Sequence, residues 1–475
     1  MNRKLHTWKE KAKERRKKIE ALKKRVKEII ASRDNWKHKY QCLQKEYNKL
    51  LKAEGIKQLN HTQVKHHTYS AEEISLYANL YYLGGCSYRG CIKVIQVLLL
   101  SGILEFRQPS PSSIRNWIIK LGYDKVHERS SISKECSHSE SDWVLILDES
   151  ISVGSEKILL LLGVDMGKYK FGQPLNMSQV QVLSIRIKRS WKADEIFPVL
   201  EEIESRGYKF KNACSDNGNN LCKALKKKEI PQIEDCGHYF GNILERRYKK
   251  HEIYLEFSKM RGLFRKQNLL SQYAVFLPPQ QRSKGRFMNL WPICKWAYEL
   301  LEIAKEPKKN GIDEDALEKI EWILDFEDLI RHLYKEQELI NQLNKILKHN
   351  GLSKKSIKTC KSILKKSGLE EKFTSQFEEY LDNNYQKMGG KGVWLCSSDI
   401  IESMFGTFKN RLAKNSAGGL TEGCLSIANY GKYFQPEDVI APMENTKMID
   451  ILKWREENLP ISMLRKRAAI FKNTG

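Results

Sequence analysis

The sequence predicts an α/β protein with a mixed β-sheet core, preceded by helical segments and interrupted by a long all-helical insertion. Two runs, 144–147 and 157–165, are almost wholly apolar and bounded by charged or turn-forming residues, as strands buried on both faces are. A third, 180–188, alternates apolar and polar residues, as a strand with one exposed face does. Elsewhere, above all in 1–54 and 241–388, apolar residues recur at helical spacing.

Composition bounds what such a chain can do. At 475 residues, 41% hydrophobic and 30% charged, it has material for several units with apolar cores. A formal net charge of +25 favours a polyanionic partner, nucleic acid first. The 11 cysteines include no Cys-x-x-Cys pair, which points to reduced thiols in a reducing compartment rather than a disulfide framework or structural zinc. The longest apolar run, 94–104, is broken by Gln96, Ser101 and Gly102 and is too short to span a bilayer. The N-terminus has no apolar signal core, so neither export nor membrane insertion is expected.

Residues 1–54 form a basic coiled-coil pattern. Ile19, Leu22, Val26, Ile29, Trp36, Tyr40, Leu43, Tyr47 and Leu50 fall on one seam, with Arg33 at one seam position. The segment holds 19 Lys and Arg against 7 Asp and Glu, a net +12, so it can pair two copies or lie along phosphates. The stretch 55–70 loses the periodicity and reads as a linker despite His61, His66 and His67.

Three helices follow within a 55–130 domain, at 71–83, 88–100 and 111–121. The third opens on Ser110-Pro111, an N-cap and first-turn proline, and presents Ile114, Trp117, Ile118 and Leu121 on one face. This pattern resembles a helix-turn-helix, with Arg115 as a DNA contact. Residues 122–141, polar and Ser-rich, read as the linker into the sheet domain.

The strand at 144–147 ends on Asp148, a carboxylate whose place at a buried strand's tip would suit a hard cation. A helix is expected over 191–205, with Ile196, Val199, Leu200 and Ile203 inward, then a strand over 208–214 leading to Ser215-Asp216-Asn217-Gly218. A helix at 219–228 and a strand at 230–233 complete the order strand, strand, strand, helix, strand, helix, strand. Far downstream, Ser397 or Ser398 can cap a helix on which Ile401, Phe405 and Phe408 face inward. Glu402 and Lys409, seven apart, lie two turns apart on one face of it.

That element order, with Asp148 ending the first strand, Asp216 just after the fourth and Glu402 on a late helix, resembles the ribonuclease-H-like core of the DDE transposase and retroviral integrase superfamily. The Glu402-to-Lys409 interval equals that of bacterial members with a Tyr-Arg-Glu-Lys signature, although Leu395 and Ser398 stand where that signature has Tyr and Arg. Asp235-Cys236-Gly237-His238 is similar to the Cys/Asp-x-x-His motif of hAT-type and Mutator-type transposases, which implies that His238 lies near the metal site and contacts DNA. The resemblance implies that Asp148, Asp216 and Glu402 hold two Mg²⁺ or Mn²⁺ ions, which activate the attacking oxygen and stabilise the leaving one. Glu149 and Asp165 are alternatives to Asp148, and Asp399 to Glu402, if element ends shift by a residue or two.

The 185 residues between Asp216 and Glu402 exceed what such a core needs. The catalytic domain is therefore read as 141–245 with 392–415, the helical insertion as 246–391, and 416–475 as a basic helical tail, the insertion being like that of hAT-type relatives. Basic residues at its opening, Arg246 and Arg247 among them, and the loop 282–286 are expected to grip DNA through phosphates. Trp394 is a candidate for stacking on an unpaired base. The expected function is a DNA transposase that cleaves phosphodiester bonds at transposon ends and joins the freed 3′-hydroxyl to target DNA. The alternatives are a transposase-derived DNA-binding protein without cleavage, and a nuclease or resolvase of the same core. The partners expected are DNA and a second copy through the coiled coil, with no membrane. The compartment would be cytoplasm or nucleoid in a bacterium and nucleus in a eukaryote.

Overall fold

The computed structural model describes residues 2–53, 62–102, 106–127, 142–153, 156–281, 287–412, 420–461 and 463–472. His61, the basic loop 282–286, the Gly-containing loop 413–419 and most of the expected linker before residue 142 lie outside the described residues. The chain divides into two units, Met1–Thr62 and Gln63–Gly475.

The first unit contains one helix, α1 (Asn2–Ala53), of 52 residues, about 78 Å at 1.5 Å per residue. Its seam residues Ile19, Leu22, Val26, Ile29, Trp36, Tyr40 and Leu43 are exposed. The seam arginine, Arg33, turns to its neighbour, donating from Nε and Nη2 to Asp34 Oδ1 at 2.9 and 2.7 Å.

The second unit is built on a five-stranded mixed sheet in the order β3-β2-β1-β4-β5. The strands are β1 (Trp143–Val153), β2 (Glu156–Asp165), β3 (Gln181–Lys188), β4 (Phe210–Ser215) and β5 (Gln232–Glu234). β1–β2 and β2–β3 are antiparallel, whereas β1–β4 and β4–β5 are parallel. Both sheet faces are covered, which is why β1 and β2 read as unbroken apolar runs. Leu145, Leu147, Leu159 and Leu161 pack with Ile196, Leu200, Leu221 and Leu225 of α5 (Ala193–Ser205) and α6 (Asn219–Lys227). Val144, Ile146, Ile158, Leu160 and Leu162 point to the opposite face, the two-residue alternation of a strand.

That opposite face carries the first correction. The helices α2 (Ala71–Tyr82), α3 (Tyr88–Leu100) and α4 (Pro111–His127) share one apolar core with the sheet and with residues 420–454. The expected recognition helix, α4, continues six residues past 121, and Ile114, Trp117, Ile118, Ile119, Leu121, Gly122, Tyr123, Asp124 and Val126 are all buried on it. A helix so enclosed does not offer the open face that groove reading requires. The tail, read as helical, opens on a run of 3-10 turns, Glu422–Asn429, packed against α4.

The segment from Cys236 onward is mainly helical, with a core of its own. It comprises α7 (Cys236–Tyr248), α8 (Glu252–Asn268), α9 (Trp291–Lys305), α10 (Glu314–Ile320), α11 (Glu327–Asn350), α12 (Lys354–Lys366) and α13 (Glu371–Lys387). α7 ends at Tyr248 and His251 caps α8, its side chain accepting from the Tyr254 N–H. The insertion closes on a two-stranded ladder, β6 (Leu352–Ser353) with β7 (Val393–Trp394). Next comes α14 (Asp399–Arg411), whose buried stripe of Ile400, Ile401, Met404, Phe405 and Phe408 packs against β1. The tail holds α15 (Pro436–Asn445), α16 (Met448–Asn458) and α17 (Met463–Lys472). Among the described residues, no helix is long and apolar enough to cross a membrane.

Candidate active site

Asp148 lies within β1 rather than at its end: the strand runs on to Val153, and Asp148 pairs with Leu160 of β2. On its other side the β1–β4 ladder stops at Ile146 opposite Cys214. Two residues on, where β4 has ended, Asp148 and Asp216 are the corresponding positions. Asp216 is fixed by its own turn, Oδ1 accepting the Gly218 N–H at 3.1 Å and its carbonyl accepting Gln232 Nε2 at 3.1 Å.

Glu402 comes from the open side of α14, and His238 from the first turn of α7. His238 Nε2 stands 3.4 Å from Glu402 Oε1. Burial alone would push the His238 imidazole down, but the hydrogen bond it donates to Glu402 and the charges of Asp235, Asp216 and Glu402 outweigh it and hold the pKa up to about 9. The effect on Asp148 is the reverse: burial first, then the charges of Asp216 and Glu402, push it up to about 7, with His238 partly opposing. The three carboxylates and the imidazole thus act on one another across one site.

The alternatives differ in their surroundings. Asp165 is at the far end of β2, opposite Trp143, with Lys168 at 3.4 Å. Glu149 pairs with Lys157 at 3.5 Å, and Asp399 with Lys348 of α11. Lys409 is exposed seven residues after Glu402 on α14, and Arg246 is exposed on α7.

Three other expected DNA contacts are occupied internally. Arg247 reaches buried Glu336 at 3.0 Å and forks both Nη atoms onto Glu370 at 3.1 Å each. Arg115 Nη2 donates to Glu422 at 2.6 Å. Trp394 is buried in the insertion core, its indole N–H donated to the Lys391 carbonyl at 2.7 Å and Lys211 Nζ 4.8 Å from its ring centre. Both guanidinium groups are thus engaged by carboxylates of this chain, and the indole ring is buried. Lys348 is the charged neighbour that sequence reasoning missed. It lies 109 residues beyond Tyr239 in the last turn of another helix, where nothing local marks it.

The donor chemistry is of the kind a hard divalent cation takes: three carboxylates from three elements, one of them half-buried and crowded by two like charges. Among the described residues, no three His, Cys, Asp or Glu side chains converge closely enough to enclose an ion. Glu402 is turned to His238.

No family model matches this chain, and no curated protein does. Among solved structures, it is similar to the Drosophila P element transposase strand transfer complex, at 14% identity and a TM-score of 0.41, over 86% of this chain and 100% of that one.

Proposed function

We propose that this chain is a DNA transposase with a ribonuclease-H-like core that cuts phosphodiester bonds at transposon ends and joins the freed 3′-hydroxyl to target DNA. The reading is supported by the β1–β4 register, which sets Asp148 level with Asp216, and by Glu402 standing 3.4 Å from His238, with the charges of Asp216, Glu402 and His238 all acting on Asp148. The observed order of three antiparallel strands, helix, strand, helix, strand supports the same core.

In this reading Asp148, Asp216 and Glu402 would hold Mg²⁺ or Mn²⁺, which when bound would supply charge stabilisation for phosphodiester chemistry. His238, cationic at neutral pH, restrains Glu402 and presents positive charge toward a phosphate. Lys409 and Arg246 extend the basic approach, and α1 pairs with a second copy through its apolar seam.

The test is strand cleavage of DNA carrying the element's own flanking ends, with Mg²⁺ or Mn²⁺. Asp216→Asn and Glu402→Gln should each lower cleavage by on the order of a hundredfold or more while DNA binding persists. Tight binding without cleavage by the unaltered chain would favour the DNA-binding alternative instead.

A further inference from the structure

We propose that Asp235 is the positioning residue of this site, a single buried carboxylate that sets His238 against Glu402 and both against the end of β4. The inference rests on the metal-site reading above and deepens it. Asp235 is fully buried. Its backbone N–H donates to the Ser215 carbonyl at 2.9 Å, one residue before Asp216. Oδ1 accepts the His238 N–H at 2.7 Å, capping α7. Oδ2 accepts both the N–H of Ser398 at 2.5 Å and its hydroxyl at 3.0 Å, immediately ahead of α14. The elements that supply Asp216, His238 and Glu402 therefore meet at one residue.

Helix capping does not account for this arrangement. A cap needs one oxygen, and Ser or Asn supplies it as well as Asp does. The second oxygen holds a residue 163 positions away, through charge-assisted bonds roughly twice as strong as neutral ones. Adjacent contacts brace the same junction: the Cys236 N–H donates to the Cys396 carbonyl at 2.9 Å, and Lys348 pairs with Asp399, the first residue of α14. Functional constellations tolerate displacements of only about 0.5 Å. Releasing the start of α14 would let Glu402 drift from its partners by at least that much.

Asp235→Ser separates the two roles, keeping a capping oxygen and giving up the tie to Ser398. Mn²⁺ binding to the full chain, followed calorimetrically at a temperature where the variant is still folded, should weaken by about 10- to 100-fold in this variant. Ser398→Ala, which removes only the hydroxyl donor, should weaken it severalfold, and it carries the test if Asp235→Ser does not fold. Mn²⁺ affinity unchanged in the folded variant would overturn the positioning role. An unaltered chain that binds no Mn²⁺ would overturn the metal reading instead. The positioning role then stands or falls on crystal structures, where a His238–Glu402 separation that stays at 3.4 Å in Asp235→Ser sinks it.

Discussion

Asp148 is held where its charge is costly to keep, half-buried in the sheet with the charges of Asp216 and Glu402 acting on it, and its pKa is pushed up to about 7. A divalent cation would relieve it, so binding should appear as stability even with no DNA present. Mg²⁺ at a hundred times its dissociation constant stabilises a folded chain by about 2.7 kcal/mol. The thermal midpoint of the unaltered protein should rise with Mg²⁺, while Asp148→Asn should show little rise and a higher midpoint than the unaltered protein without metal. Equal Mg²⁺ responses in the two proteins would remove Asp148 from the ligand set. Asp148 stood out in the sequence because it closes an apolar run, and Asp216 because it follows an expected short strand, 208–214, patterns that local spacing encodes. Arg247 misled because its partner, Glu336, lies 89 positions away on α11. An arginine in a basic run reads as a surface cation until packing sets a buried carboxylate beneath it.

Helix α4 shows the same limit at the level of an element. Its residues at 114, 117, 118 and 121 read as one apolar face, leaving the rest free to meet DNA. The second covering comes from Glu422–Asn429, some 300 residues later, which approaches so closely that a Cβ on Gly122 would stand 2.1 Å from the Leu425 carbonyl oxygen. Arg115 belongs to that interface through Glu422, which Arg455 also approaches at 3.8 Å. Burial alone would push Glu422 up, but the Arg115 hydrogen bond and the charges of Arg115 and Arg455 bring it below its ordinary 4.5. A depressed carboxylate stabilises the fold fully above its unfolded value, and that contribution disappears as pH falls through the folded one. Glu422→Gln should therefore lower stability by about 1 to 3 kcal/mol at pH 7, and the difference from the unaltered protein should shrink as pH falls below 4.5 in urea denaturation. A difference independent of pH would mean that the ion pair does not hold α4 to the 3-10 turns. The individual strands and helices were largely legible from periodicity. Which helices cover which sheet face was not, because α4 alone carries no sign of its partner.

For the molecule as a whole, charge and apolar surface on α1 make separable demands. Its seam is exposed from Ile19 to Leu43, and its remaining faces are crowded with Lys and Arg. If the seam joins two copies while the outer faces lie along phosphates, each function should fail alone. Leu22→Asp with Ile29→Asp puts charge into the seam and should convert a dimer to a monomer in sedimentation, with the salt dependence of DNA binding per chain unchanged. Replacing Lys13, Lys17, Lys24 and Lys27 by Gln, all exposed and off the seam, should leave the mass alone. It should also flatten the dependence of log affinity on log salt, by roughly 0.9 for each phosphate no longer neutralised. The Mg²⁺-induced rise in midpoint should survive both sets, since the carboxylates lie in the separate unit Gln63–Gly475. A slope untouched by the four substitutions would shift the DNA-binding role from α1 to the charge on that larger unit, where Arg246 and Lys409 are the first residues to replace.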